Sequence, residues 1–238
     1  MTTWLFDLGN TRVKYAPLLA DGQLGPVVAC AHDDGGWLDA LPVGRVACLA
    51  SVAPAAHRQA LADALASRFA QVREVRTQAA LGPLRIAYAQ PAHLGVDRFL
   101  ALLGACTGEA ALLVGVGTAL TVDVLDAGGR HHGGRIAPSP QLMRACLHAR
   151  AAQLPASGGT YAEFGDDTGH ALASGCEGAA LALVEQSLHA AHALLGQPVR
   201  LWLHGGGAEA LRERLPVHRW APDLVLQGMA RWHALQIA

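Results

Sequence analysis

The sequence predicts an α/β fold of two similar halves, each a mixed β-sheet with helices. Short apolar runs alternate with longer stretches whose apolar residues recur at helical spacing, which indicates alternating strands and helices. A strand–turn–strand pattern opens the chain, and residues 112–126 show a second pattern of the same kind. No low-complexity segment or linker separates the halves, so the second pattern sets the boundary between predicted domains of residues 1–112 and 113–238.

The first strand–turn–strand unit places an acidic group, a glycine, a hydroxyl and a cation in one turn, within Asp7-Leu8-Gly9-Asn10-Thr11-Arg12-Val13-Lys14. Gly9 allows a positive φ and a close approach of the backbone to a ligand, so that main-chain N–H groups can meet anionic oxygens. Asp7, at the end of the first strand, is placed to hold a magnesium ion through water. Lys14 and Thr11 add a charge and a donor for phosphate oxygens. An ordinary hairpin turn, with Asp and Asn as turn formers, is the alternative.

The second unit repeats this arrangement around Gly117 and Thr118. An apolar strand enters the turn and another apolar strand leaves it. Both outgoing strands then reach an Asp/Gly turn, at residues 21–22 and 126–129. Two such units, each opening one half of the chain, predict a duplicated fold that holds ATP phosphates between the halves.

The remaining elements follow from apolar runs and helix signals. In the first half we predict strands at 26–31, 45–50 and 71–75, a helix capped by Ser51 and running through Phe69, and a helix from about Asp97 through Leu103. In the second half we predict helices at 139–154, 167 or 168–195, 208–215 and 223–237, and a strand at 199–203. The longest of these helices has an apolar face of Leu172, Cys176, Ala179, Leu183, Leu188 and Leu195.

Two short motifs in the second half have open interpretations. Gly205–Gly207 follows a predicted strand, and this turn either places backbone against a nucleotide or packs a helix tightly on the sheet. His131-His132, in a Gly-rich turn, and His189 with His192, on one helix face, lack a carboxylate or cysteine at ligand spacing, which argues against a metal site.

Composition excludes several classes of partner. The chain has 238 residues, of which 52% are hydrophobic and 16% charged, with a formal net charge of -1, as expected for a globular protein without a basic field for nucleic acid or an anionic membrane. Its five cysteines are widely spaced and form no C-x-x-C pair, which suits buried thiols in a reducing cytosol. Asp7 and Asn10 interrupt the apolar core that a signal peptide would need. We therefore predict a cytoplasmic protein without a membrane partner.

Five motifs, in order along the chain, resemble the type III pantothenate kinases, a family of the actin/hexokinase/Hsp70-like ATPase superfamily. The motifs are Asp7–Lys14, Tyr88-x-x-Pro91-x-x-Leu94-Gly95-x-Asp97-Arg98, Gly117-Thr118-Ala119-x-Thr121-x-Asp123, Gly133-Gly134-x-Ile136-x-Pro138 and Gly205–Gly207. The resemblance implies two ribonuclease-H-like halves. It also implies the ATP-dependent phosphorylation of the primary hydroxyl of pantothenate to 4'-phosphopantothenate, in coenzyme A biosynthesis, with magnesium.

The resemblance also implies roles for individual residues. ATP phosphates would bind the first loop, through Asp7, Gly9, Asn10, Thr11 and Lys14, and the turn of Gly117 and Thr118. Pantothenate would bind Tyr88, Gly95, Val96, Asp97 and Arg98. Thr168 would reach a pantothenate molecule across a dimer interface, which implies a homodimer with composite sites.

Asp97 and Arg98 have a chemical rationale of their own. Phosphoryl transfer to an alcohol needs positioning, charge neutralisation and a group that orients the hydroxyl. A carboxylate such as Asp97 accepts the hydroxyl proton, and the guanidinium of Arg98 holds substrate or phosphoryl oxygens. The alternative is an Asp at a helix N-cap followed by a surface Arg, and both roles can coexist.

The sequence departs from the family pattern at two positions. Gly115 stands where the family usually has an Asp that helps to bind potassium, so we expect little dependence on potassium or ammonium. Ser139 replaces the last glycine of the fourth motif, which should only reshape a loop. Two other functions stay open: a nucleotide-binding accessory or regulatory protein, and a kinase of another small alcohol. The intact Asp7, Asp97, Arg98 and Thr118 favour the pantothenate kinase.

Overall fold

Two five-stranded sheets form the framework of the protein. The structure is a computed structural model that describes residues 2–32, 34 and 36–237. The chain divides into two compact units, the first of Met1–Gly108, Ala127–His131 and Asp223–Ala238, and the second of Glu109–Asp126 and His132–Pro222. The closing helix thus groups with the first unit, whereas the predicted domain of residues 113–238 assigned it to the second half.

The sheet of the first unit has the strand order β3-β2-β1-β4-β5. These strands are β1 (Thr3–Leu8), β2 (Arg12–Leu18), β3 (Val28–Ala31), β4 (Gly44–Ser51) and β5 (Phe69–Glu74). The first three strands are antiparallel, while β4 runs parallel to both β1 and β5. Because β1 and β2 form the predicted hairpin, Asp7 pairs directly with Lys14. Phe6, Leu49 and Leu61 are buried together in the core beside this sheet.

Shorter elements follow β4 and β5. They are α1 (Ala55–Ala66), the two-residue strands β6 (Ala80–Leu81) and β7 (Leu84–Arg85), a 3-10 turn (Pro91–His93) and α2 (Val96–Ala105). The predicted limits of the first helix were wrong at both ends. Ser51 ends β4 instead of capping α1, and its Oγ accepts a hydrogen bond from Ala53 N at 3.2 Å. Phe69 begins β5, where its ring packs edge-on against Phe6.

The sheet of the second unit has the corresponding order β10-β9-β8-β11-β12. These strands are β8 (Ala111–Val116), β9 (Ala119–Leu125), β10 (His131–Pro138), β11 (Arg200–His204) and β12 (His218–Trp220). β8 and β9 form the second predicted hairpin, and β11 runs parallel to both β8 and β12. The prediction of an α/β fold with two mixed sheets is confirmed. The predicted turn at His131-His132 was wrong, since both residues begin β10, and Asp126 Oδ2 lies 2.8 Å from His132 Nε2.

The helices of the second unit are α3 (Pro140–Arg150), α4 (Thr168–Leu195) and α5 (Glu209–Arg212). Ser139 and Asp167 cap α3 and α4, and their side chains accept hydrogen bonds from Leu142 N and His170 N. The predicted apolar face of α4 was displaced at Ala179, which is exposed. The buried row instead follows the spacing of Leu172, Cys176, Ala180, Val184 and Ala191.

The last helix, α6 (Leu224–Ile237), packs against α2 in the first unit. Small residues permit this close approach, because a Cβ on Gly228 would overlap the carbonyl of Leu100 and one on Gly104 would lie 2.8 Å from Leu224 O. Within the described ranges, none of the helices is long and apolar enough to cross a membrane. All five cysteines lie in those ranges, and none of them is in a disulfide.

Candidate active site

The turn between β1 and β2 presents polar groups next to a charged strand pair. Gly9 N donates to Arg12 O at 2.9 Å, and Asn10 and Thr11 are exposed above this bond. The expected positive φ of Gly9 is not observed, and a Cβ there would make a tight contact with Arg12 O at 3.3 Å. The turn therefore leaves the side chains of Asn10 and Thr11 available to a ligand.

Asp7 lies in an environment that disfavours its negative charge. Burial raises the pKa of Asp7 to about 7, the negative charge of Asp97 adds to this effect, and Lys14 opposes it. The structure thus brings together two predicted site carboxylates that lie 90 residues apart in sequence, one on β1 and one on α2. Two such carboxylates repel each other, and a cation or a proton would relieve the repulsion.

This environment leads to a prediction about stability. We expect Asp7→Asn to raise the melting temperature of the ligand-free protein at pH 8 and to change it little at pH 4. The folded-state pKa of about 7 exceeds the ordinary value of 3.8. Between these values the unfolded chain releases a proton that the folded protein retains, so stability falls as the pH rises and stays lowered above about pH 7. Thermal melts from pH 4 to pH 8 check this, and a pH-independent difference would contradict it.

Lys14 has a partner that the sequence patterns did not reveal. Its Nζ lies 3.2 Å from Oδ1 of Asp223, and the two side chains are 24% and 27% exposed. Asp223 immediately precedes α6, 209 positions further along the chain. The only sequence signal at Asp223 was that of a helix start. This ion pair holds the ammonium group of Lys14, the residue that lies directly across the hairpin from Asp7.

The segment Gly95–Arg98 forms the start of α2, and the Asp97 carboxylate lies where a side chain at position 95 would be. The Oδ1 atom of Asp97 accepts a hydrogen bond from Arg98 N at 2.8 Å. The carboxylate folds back over Gly95, where a Cβ would lie only 2.6 Å from Asp97 Oδ1. Gly95 itself occupies the N-cap position, so the alternative of Asp97 as the capping residue was wrong. Val96 is the first residue of the helix and is buried.

Arg98 is not a surface residue either, because only 6% of it is exposed. Its NH1 atom donates to the hydroxyl of Tyr88 at 3.3 Å, and its Cζ atom lies 5.8 Å from the centroid of the Tyr88 ring. The structure therefore joins Tyr88, Arg98 and Asp97, which the sequence placed in one motif but spread over a loop and a helix. A buried guanidinium bonded to a phenol hydroxyl can help to orient an alcohol substrate.

In the second unit, Gly117 and Thr118 form the tight turn between β8 and β9. Gly117 N donates to Ala119 O at 2.9 Å, and both turn residues are exposed. The Gly205–Gly207 turn packs against the end of β8: Gly207 N donates to Val116 O at 2.9 Å, and Gly205 has a φ of 94°. A Cβ on Gly205 would overlap the Val116 carbonyl. The packing interpretation of these glycines thus holds, and contact with a nucleotide stays a prediction.

A histidine ring fills the space beside Gly115. Gly115 pairs with His204 of β11, and a Cβ on Gly115 would lie 2.8 Å from His204 Cε1 and 2.8 Å from Thr121 Oγ1. Asp123 is buried on β9 opposite Leu113 rather than opposite Gly115. His204 was not predicted as a site residue, because only the strand register brings it to this position.

Thr168 begins α4 and is exposed. Close to it, Asp166, Asp167 and His170 have ligand atoms within 4.8 Å of one another, the metal-compatible cluster found in the described ranges. His170 Nδ1 lies 3.0 Å from Asp166 Oδ1, and this hydrogen bond raises the pKa of His170. Both aspartates are exposed, so hydrogen bonding at the start of the helix accounts for the cluster.

Comparison with known proteins gives consistent matches along most of the chain. A sequence profile of the type III pantothenate kinase family matches residues 4–190. The type III pantothenate kinase of Xanthomonas campestris pv. campestris (strain B100) is 57% identical over 237 residues, covering 98% of this chain and 97% of that protein. The type III pantothenate kinase of Stenotrophomonas maltophilia (strain R551-3) is 55% identical over 243 residues, covering 100% of both.

Solved structures show a similar fold at much lower sequence identity. A Campylobacter jejuni protein described as a Baf family transcriptional activator superposes with a TM-score of 0.65 at 18% identity, over 96% of each chain. A Sinorhizobium meliloti protein described as a 2-dehydro-3-deoxygalactonokinase superposes with a TM-score of 0.58 at 15% identity, over 99% of each chain. These similarities support the fold assignment alone.

Proposed function

The chain belongs to the type III pantothenate kinase family, and from this premise we propose that it transfers the γ-phosphoryl group of ATP to the primary hydroxyl of pantothenate. The product would be 4'-phosphopantothenate, in coenzyme A biosynthesis. The observation that carries this proposal is the cluster of Tyr88, Asp97 and buried Arg98, with Asp7 close enough for Asp97 to shift its pKa. A cytoplasmic location would suit a biosynthetic kinase that uses ATP.

The proposed reaction needs a proton acceptor and a fixed alcohol. Asp97 would accept the hydroxyl proton while the hydroxyl oxygen bonds to the γ-phosphorus and the bond to the bridging oxygen of ADP breaks. Arg98 and Tyr88 would bind and orient the pantothenate. Arg98 is suited to this role because burial and its bond to the Tyr88 hydroxyl restrict its motion.

ATP phosphates would be bound by residues of the two turns and by a cation. In the first unit these are Gly9, Asn10, Thr11 and Lys14, and in the second unit Gly117 and Thr118. Asp7 would hold Mg²⁺ through water, and its carboxylate fits this role because a cation would offset the repulsion from Asp97. Mg²⁺ would neutralise phosphate charge during the transfer.

A coupled ADP-release assay tests the proposed function. Pantothenate should support turnover, whereas a panel of other primary alcohols at the same concentration should not. ADP release with another alcohol alone would assign a different small-molecule kinase. ATP binding without ADP release in the presence of any alcohol would assign the accessory or regulatory function instead.

We propose further that two copies of the chain form a homodimer with composite sites, in which Thr168 reaches the partner's pantothenate. Asp97→Asn should be inactive, and Thr168→Ala should bind pantothenate poorly. If the sites are composite, co-refolding the two variants should recover about a quarter of wild-type activity at low pantothenate, because about half of the dimers are mixed and each has one intact site. Sedimentation at assay concentration measures the oligomeric state, and an active monomer there would contradict the proposal.

Turnover should depend little on potassium or ammonium. The ring of His204 and the hydroxyl of Thr121 fill the space beside Gly115, so a carboxylate at position 115 would have no room in this arrangement. Main-chain carbonyls alone offset less of the hydration that a monovalent cation loses. The measurement compares kcat in potassium with kcat in Tris or tetramethylammonium alone. Loss of activity that potassium restores would show that other ligands hold the cation.

A further inference from the structure

His131 is a buried histidine that none of the substrate-binding motifs includes. It begins β10 and its exposed fraction is 0%. Its ring stacks on Tyr88, with the ring centroids 6.0 Å apart and the ring planes inclined by 19°. Tyr88 is half-buried, so its ring contacts the buried imidazole while part of its side chain is exposed to solvent.

The backbone that carries Tyr88 is held by the same histidine. Arg85 N donates to Gly129 O at 2.9 Å, and Arg85 forms a parallel bridge with Arg130. Two residues further on, Ala87 N donates to His131 Nδ1 at 3.4 Å. The His131 side chain thus adds a third contact between this segment and residues 129–131, after the two backbone contacts of Arg85. An accepting Nδ1 requires the neutral ring with its proton on Nε2.

The contacts continue from Tyr88 to the guanidinium of Arg98. The Tyr88 hydroxyl accepts a hydrogen bond from Arg98 NH1 at 3.3 Å. Asp97 is the residue before Arg98, and its Oδ1 accepts a hydrogen bond from Arg98 N. A rotation of the Tyr88 side chain about its Cα–Cβ bond would therefore move the hydroxyl that Arg98 bonds.

We propose that His131 is a positioning residue for the alcohol substrate. It acts through Tyr88, by stacking on the ring and by accepting the Ala87 N–H, so that the Tyr88 hydroxyl and Arg98 face pantothenate in one fixed arrangement. The proposal rests on the proposed function, since it concerns the binding of that substrate. It predicts that His131 influences pantothenate binding more than ATP binding or proton transfer.

Two variants separate the two contacts. His131→Asn keeps an acceptor close to the place of Nδ1 and removes the stacked ring, whereas His131→Phe keeps the ring and removes the acceptor. Each should raise the KM for pantothenate about tenfold, with kcat and the KM for ATP changed less than about threefold. His132→Asn is the matched control, since His132 contacts Asp126, and it should leave all three constants unchanged.

A double-mutant cycle with Tyr88→Ala tests whether His131 acts through Tyr88. In the Tyr88→Ala background, the His131 variants should raise the KM for pantothenate by less than about twofold more. Full additivity, or equal effects on the KM values for both substrates, would overturn the proposal.

A measurement without substrate covers the case of poor folding. The Ala87 amide should exchange with solvent faster in His131→Phe than in wild type or His131→Asn, and unchanged exchange would overturn the role of Nδ1. Wild-type turnover of pantothenate, measured first, tests the proposed function by itself. Unaltered kinetics of the variants of an active wild-type enzyme would then overturn only the role of His131.

Discussion

Replacing Asp97 with Asn is expected to lower kcat by about 100-fold or more while the protein stays folded. The amide of Asn cannot take up the hydroxyl proton of the substrate. It can, however, keep the local structure, because its Oδ1 can still accept the hydrogen bond from Arg98 N and can still lie over Gly95. The pKa of Asp7 should also fall, since the charge of Asp97 contributes to raising it.

The measurement is steady-state kinetics by coupled ADP release with pantothenate varied at a fixed ATP concentration. Circular dichroism checks that the variant is folded. Asp63→Asn is the matched control, because Asp63 is an exposed acid on α1 whose Oδ1 accepts a surface hydrogen bond from Gln59. It should retain wild-type kcat. Wild-type turnover in folded Asp97→Asn would remove Asp97 from its role as proton acceptor.

Local patterns predicted the sheets better than they predicted the ends of helices. The hairpins β1–β2 and β8–β9 were correctly placed, because apolar runs flank a polar Gly turn in both. The end of a helix depends on competition with the next element. Phe69 fits the helical spacing of Leu61 and Leu65, but pairing of β5 with β4 and contact with Phe6 place it in a strand.

The candidate site shows the same division between local and distant information. Gly95, Asp97 and Arg98 were predicted together because they are adjacent, and the structure adds that Arg98 is buried. Asp223 and His131 were missed as site neighbours because each reaches the site from a distant part of the chain. Asp223 approaches Lys14 through the return of α6 to the first unit, and this return has no local sequence signal.

Replacing Asp7 with Asn should lower turnover with Mg-ATP by about 100-fold, and wild-type turnover should require a divalent cation. The carboxylate supplies the anionic oxygens that a hydrated Mg²⁺ needs, and the amide supplies only a neutral one. Kinetics across a range of Mg²⁺ concentrations, with a chelator as the zero point, measure both effects. Equal activity in chelator and in Mg²⁺ would contradict the assignment.

Asp7→Asn also distinguishes a lost site from a damaged fold. A variant that fails because it unfolds would lose activity and melting temperature together. Here the two should change in opposite directions at pH 8, because the charge that would serve the metal is the one that burial and Asp97 disfavour in the ligand-free protein. Mg-ATP should raise the melting temperature of the wild type more than that of Asp7→Asn. A variant that is more stable alone, less stabilised by Mg-ATP and nearly inactive would show that Asp7 is retained for binding at a cost to stability.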